Sequence, residues 1–311
     1  MLSVALVDIM RVPVTVSATI RPSFKVPEYM PEPTSPFELH LAVEHAGVTA
    51  VDMLAQATGL SRQHIKQVMQ KGAVWLEEKG AGKPRRFRRA KKALAVGDKL
   101  HLYYDAEVLA ETPAQPQLIV DEGAYSIWYK PCGLRSQGSK WGDHCTLQRW
   151  VEQNLTPQRP AFVVHRLDRA ATGLIIIAHQ KKVATALAGL FAKREVEKRY
   201  RVIVHGRFAA GAWPQKIDST IDGRPACSFA RLLEYDAVRD RSLLEVRIDT
   251  GRKHQIRKHL AGIGFPVVGD RLYGRQGDTE DLQLTACYLA FMCPVTQQKK
   301  IWQFPEPLSK K

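Results

Sequence analysis

At 311 residues and 45% hydrophobic content, the chain suggests about two domains of roughly 150 residues each, with enough apolar material for sizeable cores. Lys and Arg outnumber Asp and Glu by 46 to 31, a net charge of +15. That balance implies an anionic partner, nucleic acid ahead of an anionic membrane. No apolar stretch approaches the roughly 18 residues that a transmembrane helix needs. Residues 1–16 mix Asp8 and Arg11 into apolar sequence and lack the basic-then-apolar order of a signal peptide. Cys132, Cys145, Cys227, Cys287 and Cys293 are odd in number, widely spaced and without C-x-x-C. They read as free thiols in a reducing cytoplasm, not as zinc ligands.

Residues 1–36 contain Pro13, Pro22, Pro27, Pro31, Pro33 and Pro36. Each removes a backbone donor, so this stretch is expected to be a flexible arm. A compact pattern follows over 37–105. Val51, Leu54 and Ala55 share a helical face closed by Gly59. Ser61 caps a second helix that sets Ile65, Val68 and Met69 on one side and stops at Gly72. Ala73-Val74-Trp75-Leu76 then reads as a strand. Gly97-Asp98 makes a turn, and Leu100, Leu102 and Tyr104 alternate with polar neighbours as a last strand. Between these strands lies Arg85-Arg86-Phe87-Arg88-Arg89-Ala90-Lys91-Lys92. Such a run can be a plain solvated face. Its interleaved aromatic residue, in a chain this basic, makes Arg85, Arg86, Arg88 and Arg89 candidate nucleic-acid contacts.

Two helices joined at Gly59-Leu60-Ser61 could be a DNA-binding helix-turn-helix, but the strands after Gly72 count against it. The order helix pair, strand, basic loop, Gly97-Asp98, strand resembles the S4 RNA-binding domain, through Ser61-Arg62, Gly72, Val74 and Gly97-Asp98. The resemblance implies that Lys66 and Lys71 flank an RNA-facing helix.

Residues 106–120, with Pro113 and Pro116, read as a linker, and 121–311 as the second domain. Tyr125-Ser126-Ile127-Trp128-Tyr129 is expected to be a strand and Lys130-Pro131-Cys132-Gly133-Leu134 a turn. Residues 146–155 and 182–193 have helical periodicity, while 198–204, 243–248, 288–294 and 300–304 read as strands. Residues 250–260 turn into a helix that Gly264 ends. Strands outnumber helices, and several are joined too briefly for helical crossovers. The expected class is α+β, a mixed, largely antiparallel sheet with helices packed on it, preceded by a small α/β domain.

Chemistry concentrates in three segments: His165-Arg166-Leu167-Asp168 between two apolar runs, Lys198-Arg199-Tyr200, and Arg252-Lys253-His254-Gln255-Ile256-Arg257. Isolated charges beside core strands are costly unless paired. Taken alone, Arg166 and Asp168 read as a structural ion pair, Tyr200 as a core tyrosine, and His165 as a hydrogen-bonded structural histidine. No Gly-x-Ser-x-Gly, phosphate-loop or dinucleotide glycine pattern occurs.

Together the segments resemble the motifs of RNA pseudouridine synthases of the RluA type. His165-Arg166-Leu167-Asp168 with Thr172-Gly173-Leu174 is similar to that family's signature, and Lys198-Arg199-Tyr200 to its tyrosine motif. Thr250-Gly251-Arg252 with His254-Gln255-Ile256-Arg257 and His259-Leu260, then Gly269-Asp270 and Leu272-Tyr273-Gly274, resembles its third motif. Lys130-Pro131 with Gly133-Leu134 is similar to its first. The likeness runs over about 120–305 in the family's order. It implies a pseudouridine synthase fold and cofactor-free isomerisation of uridine in RNA.

The same resemblance implies that Asp168 is the catalytic carboxylate, paired with Arg257, and that Tyr200 stacks on the uracil. It gives Arg166, His165, Arg252, Lys253 and Lys130 to the substrate, with Lys66 and the loop arginines in the first domain. Two departures stand out. Ala171-Thr172-Gly173 replaces the usual Thr-Ser-Gly, which implies altered loop packing, and Lys253 stands where a threonine is common. The expected substrate is large-subunit ribosomal RNA, with transfer RNA second. A monomer in the cytoplasm, with no membrane partner and no metal, is expected. A non-catalytic RNA-binding ribosome-assembly factor is the competing reading.

Overall fold

In a computed structural model, residues 14–17 and 36–304 are described. Most of the arm expected over 1–36 lies outside them, and Val14–Ser17 forms strand β1. The chain divides into two compact units. The first runs to Thr112 and also includes Gly138–His144; the second holds Pro113–Gln137 and Cys145 onward.

The first unit contains β2 (Phe37–Ala42), α1 (Ala50–Thr58), α2 (Arg62–Gln70), β3 (Val74–Glu77), β4 (Arg85–Arg86), β5 (Lys99–Tyr104) and α3 (Ala106–Ala110). Its sheet has the order β1-β2-β5-β3-β4, with β1 parallel to β2 and the other pairs antiparallel. The Thr49 hydroxyl accepts the Asp52 N–H to start α1, and Gly59 ends it at φ 73°. Ser61 accepts the His64 N–H to start α2. Leu39, Leu41, Leu54, Ile65, Met69, Val74 and Leu102 meet in one core with Phe87, the aromatic residue of the basic run.

Gly138–His144 is built into this unit by specific contacts. The Lys140 ammonium lies 2.6 Å from Glu38 Oε1, and Trp75 Nε1 donates to the Lys140 carbonyl at 3.0 Å. Asp143 receives Arg88 Nη2 at 2.5 Å and Arg86 Nε at 3.2 Å.

The second unit begins inside the stretch expected to be a linker, which also carries α3. Its strands are β6 (Gln117–Asp121), β7 (Tyr125–Lys130), β8 (Phe162–Val163), β9 (Thr172–Ala178), β10 (Glu197–His205), β11 (Gln215–Ile217), β12 (Ser228–Asp236), β13 (Arg241–Ile248), β14 (Leu284–Met292) and β15 (Lys299–Gln303). They form one sheet, order β11-β12-β13-β10-β14-β9-β7-β6, with β8 beside β9 and β15 beside β14. The β9–β14 pair is parallel and the others are antiparallel. The sheet is therefore mixed and largely antiparallel, as expected from the sequence. Its helices are α4 (Leu147–Asn154), α5 (Lys181–Lys193) and α6 (Gln255–Gly262).

Strand β9 explains the apolar run after the charged segment, because both its faces are buried. Ile175 and Ile177 pack with Trp128, Val202, Leu244 and the helices α4 and α6. Leu174 and Ile176 pack on the opposite face with Val183 and Leu187 of α5.

The β9–β14 seam is short, with Thr172 opposite Thr285 and Gly173 opposite Ala286. Thr172 and Thr285 share a hydroxyl–hydroxyl hydrogen bond of 2.7 Å. Gly173 has φ 111°, and a Cβ there would lie 2.2 Å from the Ala286 carbonyl oxygen. Only glycine fits that approach. Gly173→Ala is therefore expected to lower the midpoint of thermal unfolding, by about 2 °C or more, reflecting a loss of at least about 1 kcal/mol. Calorimetry of the purified variant reads this directly, and an unchanged midpoint would contradict the close seam.

Candidate active site

The loop between β8 and β9 carries Arg166 and Asp168 on a frame of backbone bonds. Leu167 and Ala171 are buried beneath it. The Ser136 hydroxyl donates to the Leu167 carbonyl at 3.0 Å and accepts the Leu167 N–H at 3.1 Å. Gly133 N–H donates to the Arg169 carbonyl at 3.0 Å. Lys130 is wholly buried, and its ammonium donates to the carbonyls of Pro131, Leu134 and Arg169 at 2.9, 2.9 and 3.1 Å. Burial pushes this ammonium down to about 8. Lys130, which the resemblance gives to the substrate, has its three donors engaged in holding the loop.

His165, also given to the substrate by the resemblance, packs behind the loop. Its Nε2 accepts the Ile176 N–H at 3.0 Å, and its ring stacks on Phe191 at 4.3 Å. Burial, with the Lys198 charge second, lowers the imidazole to about 3. The ring is therefore neutral at neutral pH and packed against α5.

Tyr200 comes from β10, where the pairing with β14 shifts register between Arg199 and Tyr200. A bulge of this kind re-aims a side chain. Tyr200 is only 9% exposed. Burial first, and the nearby Asp168 charge second, raise its phenol, so the hydroxyl keeps its proton at neutral pH.

The third segment supplies the start of α6. Gln255 fastens it: its side-chain oxygen accepts from Thr250 Oγ1 at 2.6 Å and from Arg252 N–H at 3.1 Å. Its amide donates to the Cys227 carbonyl and to Ser228 Oγ. His259 Nδ1 lies 2.9 Å from the same Ser228 hydroxyl. Thr250, Gln255 and His259 thus tie the helix to β12, which leaves His254 and Arg257 facing the loop.

Arg257 is where the structure departs most from expectation. Its fork engages Asp270, with Nε to Oδ2 at 2.7 Å and Nη2 to Oδ1 at 2.5 Å. Its remaining nitrogen Nη1 reaches Asp168 Oδ2 at 3.4 Å. Asp270 also accepts the N–H groups of Leu272 and Tyr273. Burial alone would raise the Asp270 carboxyl, but Arg257 and these amides hold it below its ordinary value. Asp168 is 21% exposed at its side chain, while Asp270 is fully buried. The two carboxylates divide the work: Asp270 locks the guanidinium, and Asp168 keeps an open side.

Arg166, Asp168, Tyr200, Arg252, His254 and Arg257 line one open cleft, with Leu167, Ile248 and Leu284 among its apolar walls. Asp168, Tyr200, Arg257, Arg166 and Arg252 were expected there. His254 and Asp270 were missed as site residues, although both lie in the quoted motifs. Lys253 is exposed on the turn before α6. Lys66, Arg85 and Arg89 are exposed in the first unit, whereas Arg86 and Arg88 are held by Asp143. Lys71 gives its ammonium to the Leu109 carbonyl at 2.5 Å. Among the described residues, no group of His, Cys, Asp or Glu is arranged to hold a metal ion. No described helix is long and apolar enough to cross a membrane.

Residues 124–262 match the family described as RNA pseudouridylate synthase. A protein of Chloroflexus aurantiacus named uncharacterized RNA pseudouridine synthase is 37% identical over 158 residues, 47% of this chain and 49% of that protein. Ribosomal large subunit pseudouridine synthase D of Xanthomonas campestris pv. campestris is 32% identical over 183 residues, 53% of this chain and 55% of that one. The match thus spans about half the length of either relative. Human RNA Pseudouridylate Synthase Domain Containing 1 superimposes with a TM-score of 0.53 at 22% identity, over 64% of this chain and 87% of that chain. This likeness concerns the fold.

Proposed function

We propose that this chain, which belongs to the RNA pseudouridylate synthase family through residues 124–262, isomerises uridine in RNA to pseudouridine, with Asp168 as the reacting carboxylate. The observation that carries this is the open side of Asp168 beside the Tyr200 ring, with Arg257 fixed behind it. The N1–C1′ bond of the uridine breaks, the freed uracil turns, and a C5–C1′ bond forms. C5 gives up its proton and N1 gains one, so atoms and electrons balance without an oxidant or reductant. Asp168 promotes the first step by attacking or deprotonating the sugar. The Arg257 guanidinium, 3.4 Å from Oδ2, holds the carboxylate in place for either route. The Tyr200 ring offers a face for the turning base. Arg166 lies at the mouth, where it can hold the RNA open while the target is out of its stack, as base access requires.

Large-subunit ribosomal RNA is the substrate we favour, on the similarity to the Xanthomonas protein of that name. The first unit reads as an S4-like RNA-binding domain, on its helix pair, its strands and the exposed Lys66, Arg85 and Arg89. The test is a chemical-labelling map of pseudouridine in total RNA from cells with and without the gene. One or more large-subunit positions should disappear from the map in the deletion strain. A loss confined to transfer RNA would move the substrate there. An unchanged map with disturbed ribosome assembly would instead favour a non-catalytic assembly factor.

The basic run divides into two pairs of arginines with different expected effects. Each phosphate that the protein no longer neutralises should flatten the dependence of log K on log salt by about 0.7 on single-stranded RNA. Arg85→Gln with Arg89→Gln should flatten it while leaving stability unchanged. Arg86→Gln with Arg88→Gln removes two partners of the Asp143 carboxylate and should lower the unfolding midpoint. Equal salt slopes for wild type and the Arg85/Arg89 variant would reduce the run to a solvated face.

A further inference from the structure

Asp168 has a second neighbour that the proposed chemistry has not used. His254 precedes α6 at φ 55° and ψ 29°, in the left-handed region, and its side chain makes no capping hydrogen bond. Glycine or asparagine would occupy that backbone more easily. A bulky residue kept in such a conformation is a pointer to function. The imidazole lies between two groups: Nδ1 is 3.0 Å from the Tyr273 hydroxyl, and Nε2 is 3.9 Å from Asp168 Oδ1. Arg257 faces the other oxygen of the same carboxylate.

We propose that His254 is a positioning residue for Asp168, its tautomer set by Tyr273 so that Nε2–H faces the carboxylate oxygen that Arg257 leaves open. The Tyr273 hydroxyl donates to Nδ1, which puts the ring proton on Nε2. The separation of 3.9 Å is longer than a hydrogen bond. Interactions of this kind tighten when substrate fills a site. Asp168 is then gripped at both oxygens, which orients it toward the sugar.

The charge state follows from the surroundings. Burial lowers the imidazole, the Asp168 charge raises it, Arg257 and Lys253 lower it, and Asp270 raises it; the net result is below the ordinary value of 6.5. Arg166 and Arg252 line the same cleft. The neutral ring is therefore the working form. Below its pKa a full positive charge would face Asp168 and weaken the carboxylate as nucleophile or base. Turnover should fall as the pH drops through that lowered value.

This inference rests on the proposed function, and two experiments separate their fates. In the first, kcat and KM of full-length protein are measured on a transcribed large-subunit ribosomal RNA across pH. His254→Gly keeps the backbone conformation and removes the ring. It should lose up to about 100-fold in kcat, the cost of a reacting group misplaced by about 1 Å, with KM unchanged. His254→Gln restores an N–H near the place of Nε2. It should recover part of the loss and lack the ring's acidic limb. A His254→Gly variant with wild-type kcat, or a Gln variant no better than Gly, overturns the proposal.

The second experiment needs no turnover. The His254 ring is titrated by nuclear magnetic resonance in wild type and in Asp168→Asn. Loss of the Asp168 charge should move the ring's pKa further down. An unmoved titration overturns the pairing. If the wild type forms no pseudouridine on any RNA, the proposed function fails, and the titration still decides whether His254 and Asp168 are coupled.

Discussion

Asp168→Asn should abolish turnover while RNA binding survives. The substitution keeps the size and polarity of the side chain but removes its charge and basicity. Single members of a reacting unit have cost about 10⁴–10⁶ in rate elsewhere, and a fall of at least about 10³ is expected here. The fold should tolerate the change, because Asp168 is partly exposed and Arg257 retains its two bonds to Asp270. Purified variant and wild type are compared in single-turnover assays with saturating enzyme, and binding is measured separately by filter retention. Turnover within tenfold of wild type would remove Asp168 from the reaction.

Asp270→Ala should cost stability and activity together. It strands Arg257, whose side chain is 6% exposed, without the carboxylate that takes two of its nitrogens. Removing one partner of a buried pair costs about 3–5 kcal/mol, a large share of an ordinary domain's stability. Urea unfolding should show the loss. The freed guanidinium would also be able to close fully on Asp168 and draw it away from the sugar. Arg257→Lys keeps a charge without the fork and should be milder in stability while still slow in turnover.

The pair has a pH signature as well. A carboxyl held below its unfolded value of 3.8 contributes stability that is complete above that value and is lost as the pH falls through the folded one. Acid should therefore weaken the wild type below about pH 4 more steeply than Asp270→Asn. Parallel acid profiles for the two proteins would contradict the buried pair.

Much of this architecture is written in the chain's periodicity. The elements α1, α2, β5, β7, α5 and β10 follow from apolar spacing, because each buries a regular face. Strand β12 escapes such a reading because its register shifts between Leu232 and Glu234, which breaks the alternation. Strand β6 escapes because it is mostly exposed and leans on β7 for its pairing. Two prolines near it suggested a linker, yet both precede the strand.

At the site, the three segments name Asp168, Tyr200 and Arg257, but residue identity cannot say which acid holds an arginine. Asp270 was visible after Gly269, yet its role needs the turn that folds it back onto α6. His254 gives no apolar signal, and its unusual backbone angle cannot be seen in letters. In the basic run the six cations look alike, and only the return of Asp143 separates Arg86 and Arg88 from Arg85 and Arg89.

The membership of Gly138–His144 in the first unit also bears on how the protein is made. Synthesis runs from the N-terminus, and domains commonly fold as units in that order. Here the first unit lacks Lys140 and Asp143, which meet Glu38, Arg86 and Arg88, until the ribosome has passed residue 144. By then β6 and β7 of the second unit have already been translated. The two units must therefore mature in interleaved fashion on the nascent chain, and a stop codon placed just after Thr112 would release a first unit without its last seven residues.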